Sequence, residues 1–266
     1  MKKYRNWNLR AGFVLIGFIL LLMIVGTFYT PYDANQMNVA SKYQVPSLIH
    51  ILGTDNFGRD IFSRIIVGTK VTFFVSISTV TCGLAIGVLA GAVAGYFGGW
   101  VEEIIMRIND ALTAFPGILL ALVLVTVLGQ GTYQIILALT IIFIPSYSRI
   151  TRSEFLQLKE MEFVKSAKVF GASSFRIMFV HILPNIYPAL LSAVTIGISN
   201  AILSEAGLSF LGFGVQPPNP SWGRMLSESQ AYLFNAPWGA LAPGIIIVIT
   251  VIGFNFISEG LRKIYG

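Results

Sequence analysis

Cysteine is almost missing from this 266-residue chain: Cys82 stands alone inside an apolar run, which excludes a disulfide framework and a cysteine-based metal site. Histidine is nearly as scarce, with only His50 and His181, and neither a His-Glu-x-x-His nor a Cys-x-x-Cys pair occurs. A Gly-Lys-Ser/Thr phosphate loop is absent too, so the chain has no P-loop of its own for ATP. Charged residues make up 11%, whereas a soluble domain carries about a quarter. With 55% hydrophobic residues and a mean hydropathy of +0.75, that shortage excludes a water-soluble globule. Disorder is excluded as well, because 13% aromatic residues and long Leu/Ile/Val runs offer ample surface to bury.

What the chain has instead is long apolar runs. A helix of about 20 apolar residues crosses a hydrocarbon core of about 30 Å while satisfying its backbone N–H and C=O groups internally. Six stretches qualify: 11–30, 71–96, 110–128, 133–148, 186–203 and 240–257. The third and fourth are separated only by Gly129-Gln130-Gly131-Thr132, which reads as a tight hairpin. Lys2, Lys3 and Arg5 precede the first run, but Thr27-Phe28-Tyr29 is a poor cleavage site, so the run reads as a retained helix rather than a signal peptide. The fold class is all-α, a polytopic membrane bundle of six transmembrane helices. Residues 1–70 supply one span and an extracytoplasmic segment; residues 71–266 form a five-span core with a cytoplasmic loop over 151–185.

Six spans place both termini on one side, and thirteen of the eighteen Lys and Arg residues fall there; only Lys42, Arg59, Arg64, Lys70 and Arg224 fall on the other. The positive-inside rule makes the terminal side cytoplasmic. The five acidic residues of the far side cancel its five cations, so the whole net charge of +6 is cytoplasmic. Topology accounts for it, and no basic stripe is left to bind nucleic acid.

Gly83, Gly87, Gly91 and Gly95 recur every four residues in the second span and present bare backbone along one helical face. That face serves tight packing within the bundle or a subunit contact. In the cytoplasmic loop Met161, Val164, Ala167 and Phe170 recur every three residues, as in a short amphipathic helix. Gly171-Ala172-Ser173-Ser174 stops it and starts another, which His181-Ile182-Leu183-Pro184-Asn185 breaks before the fifth span. Such a helix rests on the membrane or inserts into a groove on a soluble partner.

On the far side, Thr54 or Asp55 is expected to cap a short helix on which Asp60 and Arg64, four apart, pair at the surface. Pro217, Pro218 and Pro220, with Trp222, are expected to form a rigid, partly apolar platform, either a membrane-edge plug or a docking site for an external protein. His50 and His181 lie on opposite sides and read as solvated or capping residues. Asp110 is within one turn of Arg107, and Glu205, at the outer end of the fifth span, is a candidate gate.

These residues resemble a known pattern. Phe163-Val164-Lys165-Ser166-Ala167-Lys168-Val169-Phe170-Gly171-Ala172-Ser173, followed by His181-Ile182-Leu183-Pro184-Asn185, resembles the cytoplasmic EAA loop of bacterial ABC importer permeases. Lys165 and Ser166 stand where the general pattern has Glu and Ala, with Glu162 nearby as a substitute for the leading Glu. Leu52-Gly53-Thr54-Asp55-Asn56-Phe57-Gly58-Arg59-Asp60-Ile61-Phe62-Ser63-Arg64, the stretch 208–223 and Asp110-Ala111-Leu112-Thr113-Ala114-Phe115-Pro116 narrow the resemblance to the second permease of the dipeptide, oligopeptide and nickel group.

The resemblance implies an ATPase-coupling helix carried by Glu162, Val164, Ala167, Phe170, Gly171, Ala172, Leu183 and Pro184. It implies a multi-pass protein of the bacterial inner (plasma) membrane partnered by a second homologous permease, two ATP-binding subunits, an extracytoplasmic solute-binding protein and the lipid bilayer. No cofactor is expected on this chain; ATP and Mg belong to partner subunits. Asp55, Arg59, Asp60, Arg64, Pro217, Pro218 and Trp222 are its extracytoplasmic candidates. The absence of deep carboxylates argues against a proton-coupled carrier, and the absence of a nucleophile and base at one depth argues against an intramembrane enzyme. Small peptides are the expected cargo, with nickel or a metal chelate as the alternative.

Overall fold

The computed structural model describes residues 7–265; Lys2, Lys3 and Arg5, counted above, lie outside them. The helices are α1 (Trp7–Phe28), α2 (Ile61–Phe97), α3 (Gly99–Thr113), α4 (Gly117–Leu128), α5 (Thr132–Leu158), α6 (Glu162–Val169), α7 (Ser174–Arg176), α8 (Tyr187–Phe210), α9 (Trp222–Ser229) and α10 (Trp238–Tyr265). Five helical stretches are long and apolar enough to cross a membrane; α3 and α4, bent by 90° to each other, pass the same test of length and apolarity only as a pair. The architecture is therefore the all-α membrane bundle, with a correction to its third span. Pro116 has no N–H to donate and disfavours helical geometry at Phe115, so the run expected as one helix over 110–128 breaks at Ala114–Pro116.

α2 sets the length of the molecule. Its 37 residues extend about 55 Å, well beyond a hydrocarbon core of about 30 Å, so both ends project past the membrane. It starts ten residues earlier than expected because Asp60 caps it, accepting from the backbone N–H of Ser63. The boundary at residue 70 consequently falls inside a helix.

Close packing follows the small residues. Gly83, Gly87, Gly91 and Gly95 all face α5, where an added Cβ at Gly91 would lie 2.4 Å from the Ser148 carbonyl and one at Gly95 2.6 Å from the Phe155 Cβ. A second seam, not anticipated, joins α1 to α10: Gly12 sits against the Gly253 carbonyl and Gly260 against Leu9. Ile16, Ile19, Phe73, Trp222 and Phe254 fill the core between α1, α2, α9 and α10. The opposite faces leave Val14, Phe18, Leu21, Val123 and Val127 exposed, an arrangement suited to lipid tails.

The segment before α8 departs from expectation too. Pro184 does not break the chain: α7 runs through a π-turn (Ile177–Ile182) and a 3-10 turn (Leu183–Ile186) into α8, giving one continuous stretch over Ser174–Phe210. A change of helical pitch accommodates the carbonyl that proline cannot serve. Asn185 Nδ2 contributes by donating to the His181 carbonyl (2.6 Å).

Candidate functional site

Where α2 begins, the chain between α1 and α2 folds back as a cap. Gly53 and Gly58 take positive φ (75° and 73°), and a Cβ there would strike the Gln44 and Asn38 carbonyls respectively. These turns seat Asp55 over the helix. One of its oxygens accepts from the N–H groups of Phe57 (2.8 Å) and Arg59 (2.9 Å), the other from Arg59 Nε (2.6 Å). Arg59 Nη2 donates to Glu228 Oε2 (2.6 Å), and Arg64 Nη2 reaches the same oxygen (3.0 Å). Arg224 Nε donates to the other Glu228 oxygen (3.2 Å), and Arg64 Nη1 to the Ala34 carbonyl (3.2 Å). Glu228 lies on α9, so the ions tie cap, α2 and α9 together.

Three expectations for this region are corrected. Asp60 and Arg64 do not pair at the surface: Asp60 turns back to cap α2 and to meet His50 Nδ1 (2.9 Å), while Arg64, only 2% exposed, turns to Glu228. Spacing of four residues permits a pair, but here the capping amide competes for the carboxylate and wins. No short helix starts at Thr54 or Asp55 either, since Asp55 closes a turn around its own following amides. His50 is buried rather than solvated. Beside the network, burial reinforced by Asp55 and Glu228 pushes the Tyr232 phenol well above its usual range, so it stays neutral.

The stretch over 217–222 divides. Pro217 and Pro218 are exposed at its apex, whereas Trp222 is buried, its Nε1 donating to the Ile65 carbonyl (3.4 Å) and its ring meeting Phe73 edge-on at 6.0 Å. Trp222 therefore belongs to the core and not to an exposed platform; the N-cap at Ser221 aims the first turn of α9 inward.

Glu205 is fully buried between α8, α2 and the start of α9. Ser209 Oγ donates to its Oε1 (2.7 Å) and accepts from the Val215 amide (3.0 Å). Its Oε2 has no hydrogen bond of good geometry, and the hydroxyls of Thr72 and Ser221 are further polar groups acting on it. Thr72 Oγ1 in turn accepts from the Trp222 amide (3.4 Å) and Ser221 Oγ from the Arg224 amide (3.2 Å). The carboxyl thus sits behind three hydroxyls that each hold a backbone amide of α9 or of the loop before it. Among charged residues at the other boundary, Asp110 pairs with Arg149 Nη2 (2.9 Å) and Arg107 with Glu103 (3.6 Å), not with each other.

At the far end of α2, α6 is anchored by Val164, which is 0% exposed and packs with Ala92, Phe155, Ile177 and Ile182. Ala167, Ala172 and Leu183 pack against this cluster from its edge. The helix closes with two bonds, Ala172 N–H to the Ala167 carbonyl and Gly171 N–H to the Lys168 carbonyl (both 3.0 Å), with Gly171 at φ 78°. Glu162 and Pro184 are exposed. The expected stripe holds only at its centre: Val169 and Phe170 are 85% and 89% exposed, and Met161 and Phe163 are also uncovered. A three-residue repeat drifts about 60° per step on a 3.6-residue helix, so Met161 and Phe170 point to opposite sides of the axis. What results is an apolar turn held rigidly from below and open above.

Fold and sites together define a polytopic all-α membrane protein, charge-locked at one end and carrying an anchored, uncovered apolar turn at the other. Residues 87–266 match the family described as binding-protein-dependent transport system inner membrane component. The chain is 41% identical over 252 residues to a dipeptide transport system permease protein of Alkalihalophilus pseudofirmus, covering 95% of this chain and 83% of that one. It is 44% identical over 249 residues to a glutathione transport system permease protein of Escherichia coli O157:H7, covering 92% and 82%. A chain of the inward-facing MetNI methionine ABC transporter shares the fold, with a TM-score of 0.61 at 19% identity over 75% of this chain and 94% of that one. The chain belongs to the binding-protein-dependent inner-membrane permease family; it is a permease of the ABC importer class, a transporter rather than an enzyme.

Proposed function

We propose that this permease carries small peptides, working beside a second related permease, two ATP-binding subunits and an external solute-binding protein. The peptide class follows from the dipeptide and glutathione transport systems to which its relatives belong. Nickel, the other cargo weighed above, has no specific observation in its favour. In this reading the Lys- and Arg-rich end is cytoplasmic, ATP and Mg bind to the partner subunits, and the α6 turn seats in a groove of an ATPase.

The observation that carries the coupling role is the pairing of Val164 in the core with Phe170 in the open, eight parts in nine exposed. A seated apolar side chain held by a rigid turn transmits displacement, because the anchor moves the packed ends of α2, α5 and α8 with it. Nucleotide binding then favours one of two bundle arrangements over the other. Asp55, Arg59, Asp60 and Arg64 hold the outer cap in shape, Pro217 and Pro218 present its exposed apex to the binding protein, and Glu205 steadies that loop at the outer gate.

The test is uptake of a labelled dipeptide into proteoliposomes holding the assembled importer, its binding protein and internal ATP. Phe170→Asp removes an apolar contact of about 2 kcal/mol, so docking weakens roughly thirtyfold and uptake collapses while the permeases remain assembled. Full uptake by Phe170→Asp at equal abundance refutes the coupling role. ATP-driven uptake of nickel but of no peptide refutes the cargo.

A further inference from the structure

α3 takes part in neither end site, and its orientation is informative. It is turned 90° from α4, which runs back to α5 through the hairpin at 129–131. α3 touches α5 near both its own ends: Glu102 meets Arg152, Asn109 Nδ2 donates to Ser148 Oγ (2.9 Å), and Asp110 accepts from Arg149 Nη2 (2.9 Å). Glu102 and Asp110 are about 12 Å apart along α3, yet their partners are one turn apart on α5, so α3 crosses α5 instead of running along it. Those partners lie 16 to 20 residues past Thr132, or about 24–30 Å from the hairpin, which is one hydrocarbon thickness.

The sequence of α3 sorts into three faces at this level. Glu102, Ile105, Met106 and Asn109 turn toward the bundle. Trp100, Ile104 and Ile108 are 81%, 58% and 57% exposed, and Glu103, Arg107 and Asp110 are exposed on another side. At about 100° per residue the three sets are centred roughly a third of a turn apart. We propose that α3 lies in the membrane plane at the α6 end, its Trp100–Ile104–Ile108 face in the acyl region of the bilayer and its Glu103–Arg107–Asp110 face among headgroups and water. A helix perpendicular to a span at boundary depth has hydrocarbon on one side and water on the other along its whole length, and the bundle takes its third face. Trp100 sits where an amphipathic ring is most favourable. By anchoring α3 to the surface, lipid holds the ends of α2 and α5 beside the coupling turn.

The test uses the full chain in the assembled importer in lipid nanodiscs, on a Cys82→Ser background. Spin labels on Ile104→Cys and Ile108→Cys collide several-fold more with oxygen than with an aqueous nickel chelate; labels on Glu103→Cys and Arg107→Cys reverse that ratio. Independently, brominated lipids quench a component of tryptophan emission that Trp100→Phe removes, a measurement made on the otherwise unaltered chain. Labels at 104 and 108 shielded from both reagents show that protein, such as the second permease, covers this face and overturn the proposal. Preference for the nickel chelate at all four sites, or no Trp100 quenching, overturns it as well.

Discussion

Where α2 begins, Arg59, Arg64 and Asp55 are buried, Glu228 is half-buried, and the four satisfy one another; where it ends, charges such as the Glu162–Lys165 pair are exposed, and it is Val169 and Phe170 that are left uncovered by the described residues. Net charge is therefore a poor guide to which end meets another protein. The buried network fixes a shape, because any one of its charges left alone would be costly. The apolar turn has nothing left to fix inside the chain, and its free energy is available only to a partner. The cap at the start of α2 is rigid by internal neutrality, and the turn beyond its end is competent by incompleteness.

The comparison is most easily broken at Arg64. Arg64→Ala leaves Glu228 and Asp55 short of a buried cation and should cost about 3 kcal/mol, read as a lower midpoint of thermal unfolding in detergent. An unchanged midpoint would mean that the ions do not hold the cap. Between the two ends, Gly91→Leu drives a side chain into the Ser148 carbonyl and Thr151, at about 1–3 kcal/mol by the same assay. If the midpoint survives, the glycine face is not a packing seam.

At the turn, Gly171→Ala places a Cβ on a backbone with φ 78° and should cost about 1 kcal/mol with no steric clash, since open space surrounds that position. Gly171→Arg adds bulk beside the docking surface and should also separate ATP hydrolysis from uptake; normal coupling there would remove the turn from the interface. Phe170→Asp should move stability by less than about 0.5 kcal/mol although it abolishes uptake, and a large loss of stability would place Phe170 in the core after all. The smallest effect is alkaline. With the Tyr232 value raised on folding, its contribution is present below the ordinary tyrosine value of about 10 and fades as pH climbs above it. Tyr232→Phe should flatten that slope in a pH series of unfolding midpoints.

The membrane bundle was legible because hydrocarbon leaves a chain few choices, and apolar runs of span length state the outcome directly. The α6 turn was partly legible: Gly171 marks a stop that the backbone confirms, while the three-residue stripe hid the rotation that exposes Phe170. The cap before α2 was misread at Asp60 and Arg64 because their true partners are Ser63, His50 and Glu228, the last 164 positions from Arg64. Arg224 and Glu228, four apart on α9, were the overlooked signal, and Ser209, four after Glu205, was another. The α1 seam was visible as Gly12, Gly253 and Gly260, but nothing local says which helices will meet.

Composition and hydropathy alone determined that this chain dissolves in lipid and which of its runs are apolar enough to enter it, because both follow from the solvation of backbone and side chains a few residues apart. Only the tertiary structure decided which buried charges face each other, that Pro116 turns α3 into a plane of its own, and which side of α6 is left uncovered. Those outcomes depend on partners brought together from distant parts of the chain, and a pattern of neighbours cannot encode a choice among partners it does not touch.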